Sequence, residues 1–170
     1  KLINAYYGPG FSNEQIEKVL KNSKLSYQYY ENIEAKVADL LKEGNIVSWF
    51  QGRMEMGPRA LGNRSILADP TFEGINDKIN EDVKHREIWR PFAPSVAEEN
   101  ASTYFEGVDK TGESPFMLHT FYVREKYSTT FPAITHIDRS SRIQTVNATQ
   151  NKRYHTLLKE MEKSYGYKAE

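Results

Sequence analysis

Apolar residues return every three or four positions along four stretches of the chain and cluster in short runs along others, so helices and short strands alternate. Ser12 followed by Gln15 has the spacing of a capping box, and Ile16, Val19 and Leu20 then fall on one helical face. A second helix is predicted over residues 32–43, where Ile33, Val37, Leu40 and Leu41 share a stripe and Gly44 stands at the C-cap position. Both helices read as packing elements without chemistry. Residues 45–50 form an apolar and aromatic run that ends at Gly52, the pattern of a mostly buried strand, and residues 65–68 give a second short strand stopped by Asp69-Pro70. Residues 74–83 are helical in pattern, with Ile75, Ile79 and Val83 on one face. Further strands are predicted at 93–97 and 116–123, and a hairpin is predicted from residues 133–137 and 142–146 across the turn-prone Asp138-Arg139-Ser140-Ser141. Tyr154, Leu157, Leu158 and Met161 mark a last amphipathic helix over 151–165, with Gly166 as its stop. The fold class that follows is α/β (α+β), a twisted mixed parallel and antiparallel sheet covered by helices.

One stretch breaks this regularity. Between Gly52 and Asp69 stand Gly52, Gly57 and Gly62, Pro58, and the arginines Arg53, Arg59 and Arg64. Glycine permits positive φ and close approach of a ligand to the backbone, and Arg is rarely buried unless paired. Backbone N–H groups, Ser65 and forked guanidinium groups on one loop suit a phosphate or carboxylate, which predicts one wall of an anion site. No Gly-Lys-Ser/Thr ends the loop, so it is not a Walker A motif. A second cationic cluster follows in Lys84, His85, Arg86 and Arg90, with Trp89, Pro91 and Phe92 between the charges to stiffen them. Arg53, Arg64 and Arg86 are expected to hold their loops through ion pairs with Glu55, Asp69 or Glu87.

Charge sharpens the point. The 170 residues carry 23 Lys and Arg against 23 Asp and Glu, so any anion site must come from local clustering. There is no Cys, which excludes disulfides, thiol chemistry and a Cys-based zinc site. No apolar run approaches a membrane span and no signal peptide is visible at Lys1, so no membrane partner is expected and the cytoplasm is the expected compartment.

Three blocks then resemble one family. They are the run from Gly52 to Leu67, the run Lys84-His85-Arg86-Glu87-Ile88-Trp89-Arg90-Pro91-Phe92-Ala93-Pro94-Ser95-Val96, and Thr135-His136-Ile137-Asp138 followed by Arg142-Ile143-Gln144-Thr145-Val146. In this order they are similar to the O-carbamoyltransferases of nodulation-protein and cephamycin type, and place the chain in that family's C-terminal, YrdC-like domain. The resemblance implies a positively charged cavity that holds carbamoyl phosphate and ATP with Mg2+, forms a carbamoyl-adenylate, and passes the carbamoyl group to a hydroxyl of a small molecule. It implies Arg59, Lys84 and Arg90 as catalytic residues and Arg124, Arg142, Gln144, Ser95 and His136 as ligands for substrate or nucleotide, with no metal held by the protein's own side chains. It also implies a separate N-terminal domain of actin-like ATPase fold as partner. Residues 1–44 then form a helical joining segment, and residues 45–170 the YrdC-like domain. The family pattern continues past the last helix into a strand and an Asn-Thr-Ser-Phe-Asn segment that do not occur before Glu170, so the expectation is a domain truncated at its C-terminus, partial or inactive alone.

Two other functions are compatible with the same residues. YrdC-like domains occur in transfer-RNA modification, and Trp89 and Phe92 beside Arg86 and Arg90 could stack on bases, although the balanced charge speaks against nucleic acid. A structural docking domain is the other, with Tyr6, Tyr7, Tyr27, Tyr29 and Tyr30 as its surface.

Overall fold

The computed structural model describes residues 3–165. Helix α1, Asn13–Asn22, begins with the predicted capping box: the Ser12 hydroxyl accepts from the Gln15 amide while the Gln15 side chain accepts from the Ser12 amide. None of its residues is buried, so α1 is not the packing helix its pattern suggests. Its apolar stripe is too short, and the exposed Val19 faces solvent. Helix α2, Ile33–Lys42, does pack: Val37, Ala38 and Leu41 are buried. They join Trp49, Val146, Tyr154 and Leu157 in one core cluster, where α2 lies along the last helix α6, Lys152–Tyr165. The predicted stop at Gly166 lies outside the described residues.

Strands β1, Val47–Phe50, and β2, Arg64–Leu67, form an antiparallel pair with Trp49 opposite Ser65. The loop they carry is the glycine and arginine stretch. Strands β3, Ser95–Ala97, and β7, Gln144–Val146, pair in parallel, Ser95 opposite Gln144. A third sheet sets β5, Phe121–Val123, between β4, Phe105–Glu106, and β6, Ser140–Ser141, both antiparallel to it. Its core holds Val96, Tyr104, Phe105, Phe121, Val123 and Ile143. The result is a mixed α/β architecture of small parallel and antiparallel sheets, with no closed barrel among the described residues. None of the described helices is long and apolar enough to cross a membrane.

Three expectations change. The predicted hairpin does not form: residues 132–134 make a 3-10 turn with Pro132 at its start, while 140–146 runs from the β5 sheet to the β3 sheet. Pro132 has no N–H to give a ladder, and Asp138 accepts from the Ser140 amide to close the turn before it can become a tight hairpin. The strand over 116–123 shrinks to 121–123, because Met117 takes positive φ (+55°) and breaks the run. The strand over 93–97 starts only at Ser95, after Pro94. The helix over 74–83 is present, but Ile75–Lys78 is α and Ile79–Val83 is a π turn.

An N-terminal strap completes the fold. Residues 5–9 run beside 53–56, with Gly8 N–H to Met54 O, Met54 N–H to Pro9 O and Met56 N–H to Ala5 O at 2.7–2.9 Å. A cavity of about 210 Å³ lies between β2, β3 and α6; Leu67, Val96, Leu157 and Met161 are typical of its apolar wall. None of the candidate cations lines it, so this cavity and the charged groups are different places.

Candidate anion-binding site

The loop between β1 and β2 folds around a carboxylate of its own. Glu55 is buried, and its Oε1 accepts from the amides of Leu61 (2.7 Å), Asn63 (2.9 Å) and Arg64 (3.3 Å). The Gly62 amide is taken by the Ser65 hydroxyl at 3.0 Å. The expectation that these N–H groups and Ser65 receive a ligand is therefore corrected: the loop is a receptor for a carboxylate, and the carboxylate is Glu55. A buried charge is tolerable only with such donors.

Gly62 is the pivot. Its φ is +98°, and a Cβ there would overlap the Tyr154 ring, so backbone and ring are in direct contact. Its carbonyl accepts from Trp49 Nε1 and Gln51 Nε2, both at 2.9 Å. Arg53 and Arg64 do hold the loop, but through carbonyls and not through Glu55 or Asp69. Arg53 donates to Tyr7 O and Gly8 O, and Arg64 to Gln51 O and Asn63 O, with its guanidinium 3.5 Å over the Phe50 ring. A tight turn leaves carbonyls without helix or sheet partners, and a guanidinium satisfies several at once.

The three blocks are tied into one circuit. Gln144 Nε2 donates to Leu61 O (3.0 Å), the Ser95 hydroxyl donates to Gln144 Oε1 (3.0 Å), and the Tyr154 hydroxyl donates to Ser95 Oγ (2.8 Å). Tyr154 N–H donates to Asn151 Oδ1, Asn151 Nδ2 donates to the Tyr6 hydroxyl, and Tyr6 donates to Leu61 O at 2.9 Å. The ring closes through the first, second and third blocks, α6 and the strap. In this arrangement Ser95 bonds to Gln144 and Tyr154, and Gln144 alone reaches the loop. Burial, opposed by the Ser95 hydrogen bond and helped by Tyr6 and Glu55, pushes the Tyr154 phenol up to about 12.

The candidate cations fall into two groups. Arg59 is exposed, two residues before Leu61, and lies close enough to Arg142 for its charge, after burial, to push the Arg142 guanidinium below its usual range. Arg142 Nε is buried without a hydrogen-bond partner. Among the described residues neither arginine makes an ion pair. The second group is Lys84, Arg86 and Arg90. Burial and then the Arg86 charge lower the Lys84 pKa, and burial and then Arg90 lower that of Arg86, against Glu87. This ribbon hangs on Asn80, which is fully buried: its Nδ2 donates to Ile88 O and Arg90 O at 3.0 Å, and its Oδ1 accepts from Arg86 Nε at 2.7 Å. Arg86 also lies 4.8 Å over the Phe92 ring, so it braces the ribbon through Asn80 and an aromatic face and not through Glu87.

Arg124 stands apart, its Nε donating to Ser102 O at 2.9 Å. His136 Nδ1 lies 3.2 Å from Ser140 Oγ, and its Nε2 is buried without a partner. Burial alternates along 140–143, half-buried Ser140 and Arg142 against buried Ser141 and Ile143. That alternation puts Ser140 and Arg142 on one face and leaves the Ser141 hydroxyl, also unpartnered, toward the core.

With the geometry in place, the comparisons decide the family. The model of the carbamoyltransferase C-terminus family matches residues 38–169. The chain belongs to that family. It is 43% identical over 166 residues to a nodulation protein, NolO, of Bradyrhizobium diazoefficiens, covering 96% of this chain and 30% of that protein. It is 42% identical over 123 residues to the 3'-hydroxymethylcephem-O-carbamoyltransferase of Amycolatopsis lactamdurans, covering 72% of this chain and 22% of the relative. An uncharacterised protein of Synechocystis is 43% identical over 185 residues, covering 95% of this chain and 30% of its own length. The carbamoyltransferase-family chain thus spans about 30% of the length of the Synechocystis and Bradyrhizobium relatives.

Motif reading missed the residues that shape this family's loop here: Glu55, Asn80, Asn151, Tyr154 and Tyr6. Glu55 carries a signal after the fact, an acid between two loop glycines with no cation needed beside it. Asn80 and Asn151 carry none, since their partners are backbone and side-chain groups set by tertiary packing.

Proposed function

We propose that this domain binds carbamoyl phosphate and ATP for a carbamoyl transfer to a small-molecule hydroxyl. The observation that carries the reading is the Arg59 and Arg142 pair, two like charges close enough to act on each other, one of them partly desolvated, with neither in an ion pair among the described residues. Such a pair is unfavourable in the empty protein and becomes favourable around a dianion. Lys84 and Arg90 supply the second cationic surface, for the nucleotide phosphates. Ser95 and Gln144 fix the loop that carries Arg59 relative to the segment that carries Arg142.

Atom balance sets the chemistry. Water opens carbamoyl phosphate to carbamate and inorganic phosphate; a carbamate oxygen then attacks the α-phosphorus of ATP, and pyrophosphate leaves with its electron pair. Each step crowds anions, so fixed guanidinium groups lower the barrier by electrostatic preorganisation. Among the described residues no group of three or more His, Asp or Glu could hold a metal ion. In this reading magnesium enters as part of the nucleotide substrate, bound by phosphate oxygens and water. Transfer to the acceptor belongs to the remainder of a longer protein, in keeping with the share of the relatives that this chain spans.

Calorimetric titration of the chain with carbamoyl phosphate and with ATP and Mg2+ tests the reading. Arg142→Ala is expected to weaken carbamoyl phosphate binding by about 10- to 100-fold, the range for one charge-assisted contact. No heat with either compound from a folded parent would reject it.

A further inference from the structure

The strap formed by residues 4–9 has no role in the chemistry proposed above and lies outside residues 38–169, where the family model matches. Yet it is bonded to the loop at every step. Backbone ties join Ala5, Gly8 and Pro9 to Met54 and Met56. Arg53 clamps the strap from the loop side, with Nε to Gly8 O at 2.9 Å and a terminal nitrogen to Tyr7 O at 2.8 Å. Gly8 has no room for a side chain, because a Cβ would sit 2.8 Å from Met54 O. The strap therefore fits against the loop backbone and is not merely draped over it.

Tyr6 is its working end. Its hydroxyl donates to Leu61 O at 2.9 Å and accepts from Asn151 Nδ2 at 3.1 Å. Burial, partly offset by the Asn151 hydrogen bond, raises its pKa, which keeps it a donor. Leu61 O also accepts from Gln144 Nε2, so one carbonyl, two residues after Arg59, is held from the strap side by Tyr6 and from the Arg142 segment by Gln144. Two donors fix the carbonyl's direction where one would let the peptide plane rock.

We infer that Tyr6 is a positioning residue of the anion site: by holding Leu61 O against Gln144 it sets the place of Arg59 relative to Arg142. Its effect on ligand is exerted through Arg59, and in that respect the inference rests on the function proposed above. Only the hydroxyl is required, so Tyr6→Phe is the test, and it keeps the ring that packs.

The experiment has two arms on the 170-residue chain. Amide hydrogen exchange is followed by NMR without ligand, where Tyr6→Phe is expected to speed exchange at Leu61, Asn63 and Arg64 by about tenfold, the loss of one hydrogen bond. Exchange in α2 should stay as in the parent. Unchanged exchange at those three amides overturns the inference whether or not any ligand binds. In the second arm, carbamoyl phosphate and inorganic phosphate are titrated into parent, Tyr6→Phe, Arg59→Ala and the double variant. Tyr6→Phe is expected to weaken binding about tenfold in the parent and not at all in the Arg59→Ala background, since its effect passes through Arg59. An equal loss in both backgrounds overturns the positioning role. A parent that binds neither compound rejects the proposed function instead, and the exchange arm then decides the strap alone. Arg53→Gln, which loosens the same strap at Tyr7 and Gly8, should reproduce the exchange pattern if Tyr6→Phe folds poorly.

Discussion

The glycine loop and the Lys84–Arg90 ribbon carry the same kind of charge and are built in opposite ways. The loop is wired from every side: Glu55 holds three of its amides, Trp49 and Gln51 hold Gly62 O, and Tyr6 and Gln144 hold Leu61 O. The ribbon has one buried anchor, Asn80, with a cation–π contact, an exposed Arg90–Glu87 ion pair at 3.8 Å and a His85 contact to Glu81 O besides, and Trp89 in its middle is 77% exposed. The backbone that carries Arg59 has lost its freedom before ligand arrives, so binding there costs less backbone-ordering entropy. A cation on a ribbon with one anchor must be ordered by the ligand. The contrast suits a small dianion on the loop and a larger polyphosphate drawn across the ribbon.

The contrast breaks most sharply at Gly62. Gly62→Ala adds a Cβ into the buried Tyr154 ring at a φ of +98°, overpacking and left-handed strain together, and is expected to cost about 4 kcal/mol in urea unfolding. Gly57 has nearly the same φ, +106°, with nothing within 4 Å of a Cβ, so Gly57→Ala should cost only about 1 kcal/mol of backbone strain. Equal losses would mean that strain, not contact with α6, sets the loop. On the ribbon the largest effect is expected from Asn80→Ala, about 3 kcal/mol, because two carbonyls and Arg86 Nε lose their partner together. It should also weaken ATP binding through Lys84 and Arg90 while leaving inorganic phosphate binding intact, which a fluorescence titration with each compound would read.

The same two regions show what the chain discloses before it is folded. Local devices were legible: the capping box at Ser12, the α2 stripe, β1 ending at the loop, and the clustering of arginines. Their identity as part of a carbamoyltransferase-family domain was also legible from three ordered blocks, and the family model bears this out. The partners of the polar residues were not. Asn151 serves Gln51, Asn63 and Tyr6 across separations of up to 145 residues, and no spacing rule reaches so far. The hairpin over 133–146 failed for a related reason. Alternation says which residues are extended but not which strand they join, and here 140–141 and 144–146 join different sheets.

Alkaline pH sharpens the contrast at a single atom of the loop's support. The Tyr154 phenol is raised from 10.0 to about 12 by burial, so its folded state favours the protonated form. That stability is fully present below pH 10 and is lost as pH rises through 12, by roughly 3 kcal/mol over the two units at about 1.4 kcal/mol per unit. Tyr6, raised for the same first reason, acts in the same direction. At pH 8 the parent should be more stable than Tyr154→Phe by about 1 kcal/mol, the value of the bond to Ser95. Near pH 12 the order should reverse. Urea midpoints of the two proteins at both pH values give the comparison, and an unchanged order would mean that the phenol is not sealed from water.

The smallest expected effect on folding falls on a residue whose expected effect on ligand is at least about tenfold. Arg59 is exposed and makes no ion pair among the described residues, and its charge acts repulsively on Arg142. Arg59→Ala should therefore move stability by no more than about 0.5 kcal/mol, in either direction. The like-charge strain it relieves is present only in the empty protein, so the same substitution should cost at least about tenfold in carbamoyl phosphate affinity. A charge kept where it does nothing for the fold is explained by what comes to sit beside it. Urea unfolding and calorimetry on the one variant separate the two quantities, and a matched loss in both would turn Arg59 from a ligand into a strut, making the loop as structural as its wiring.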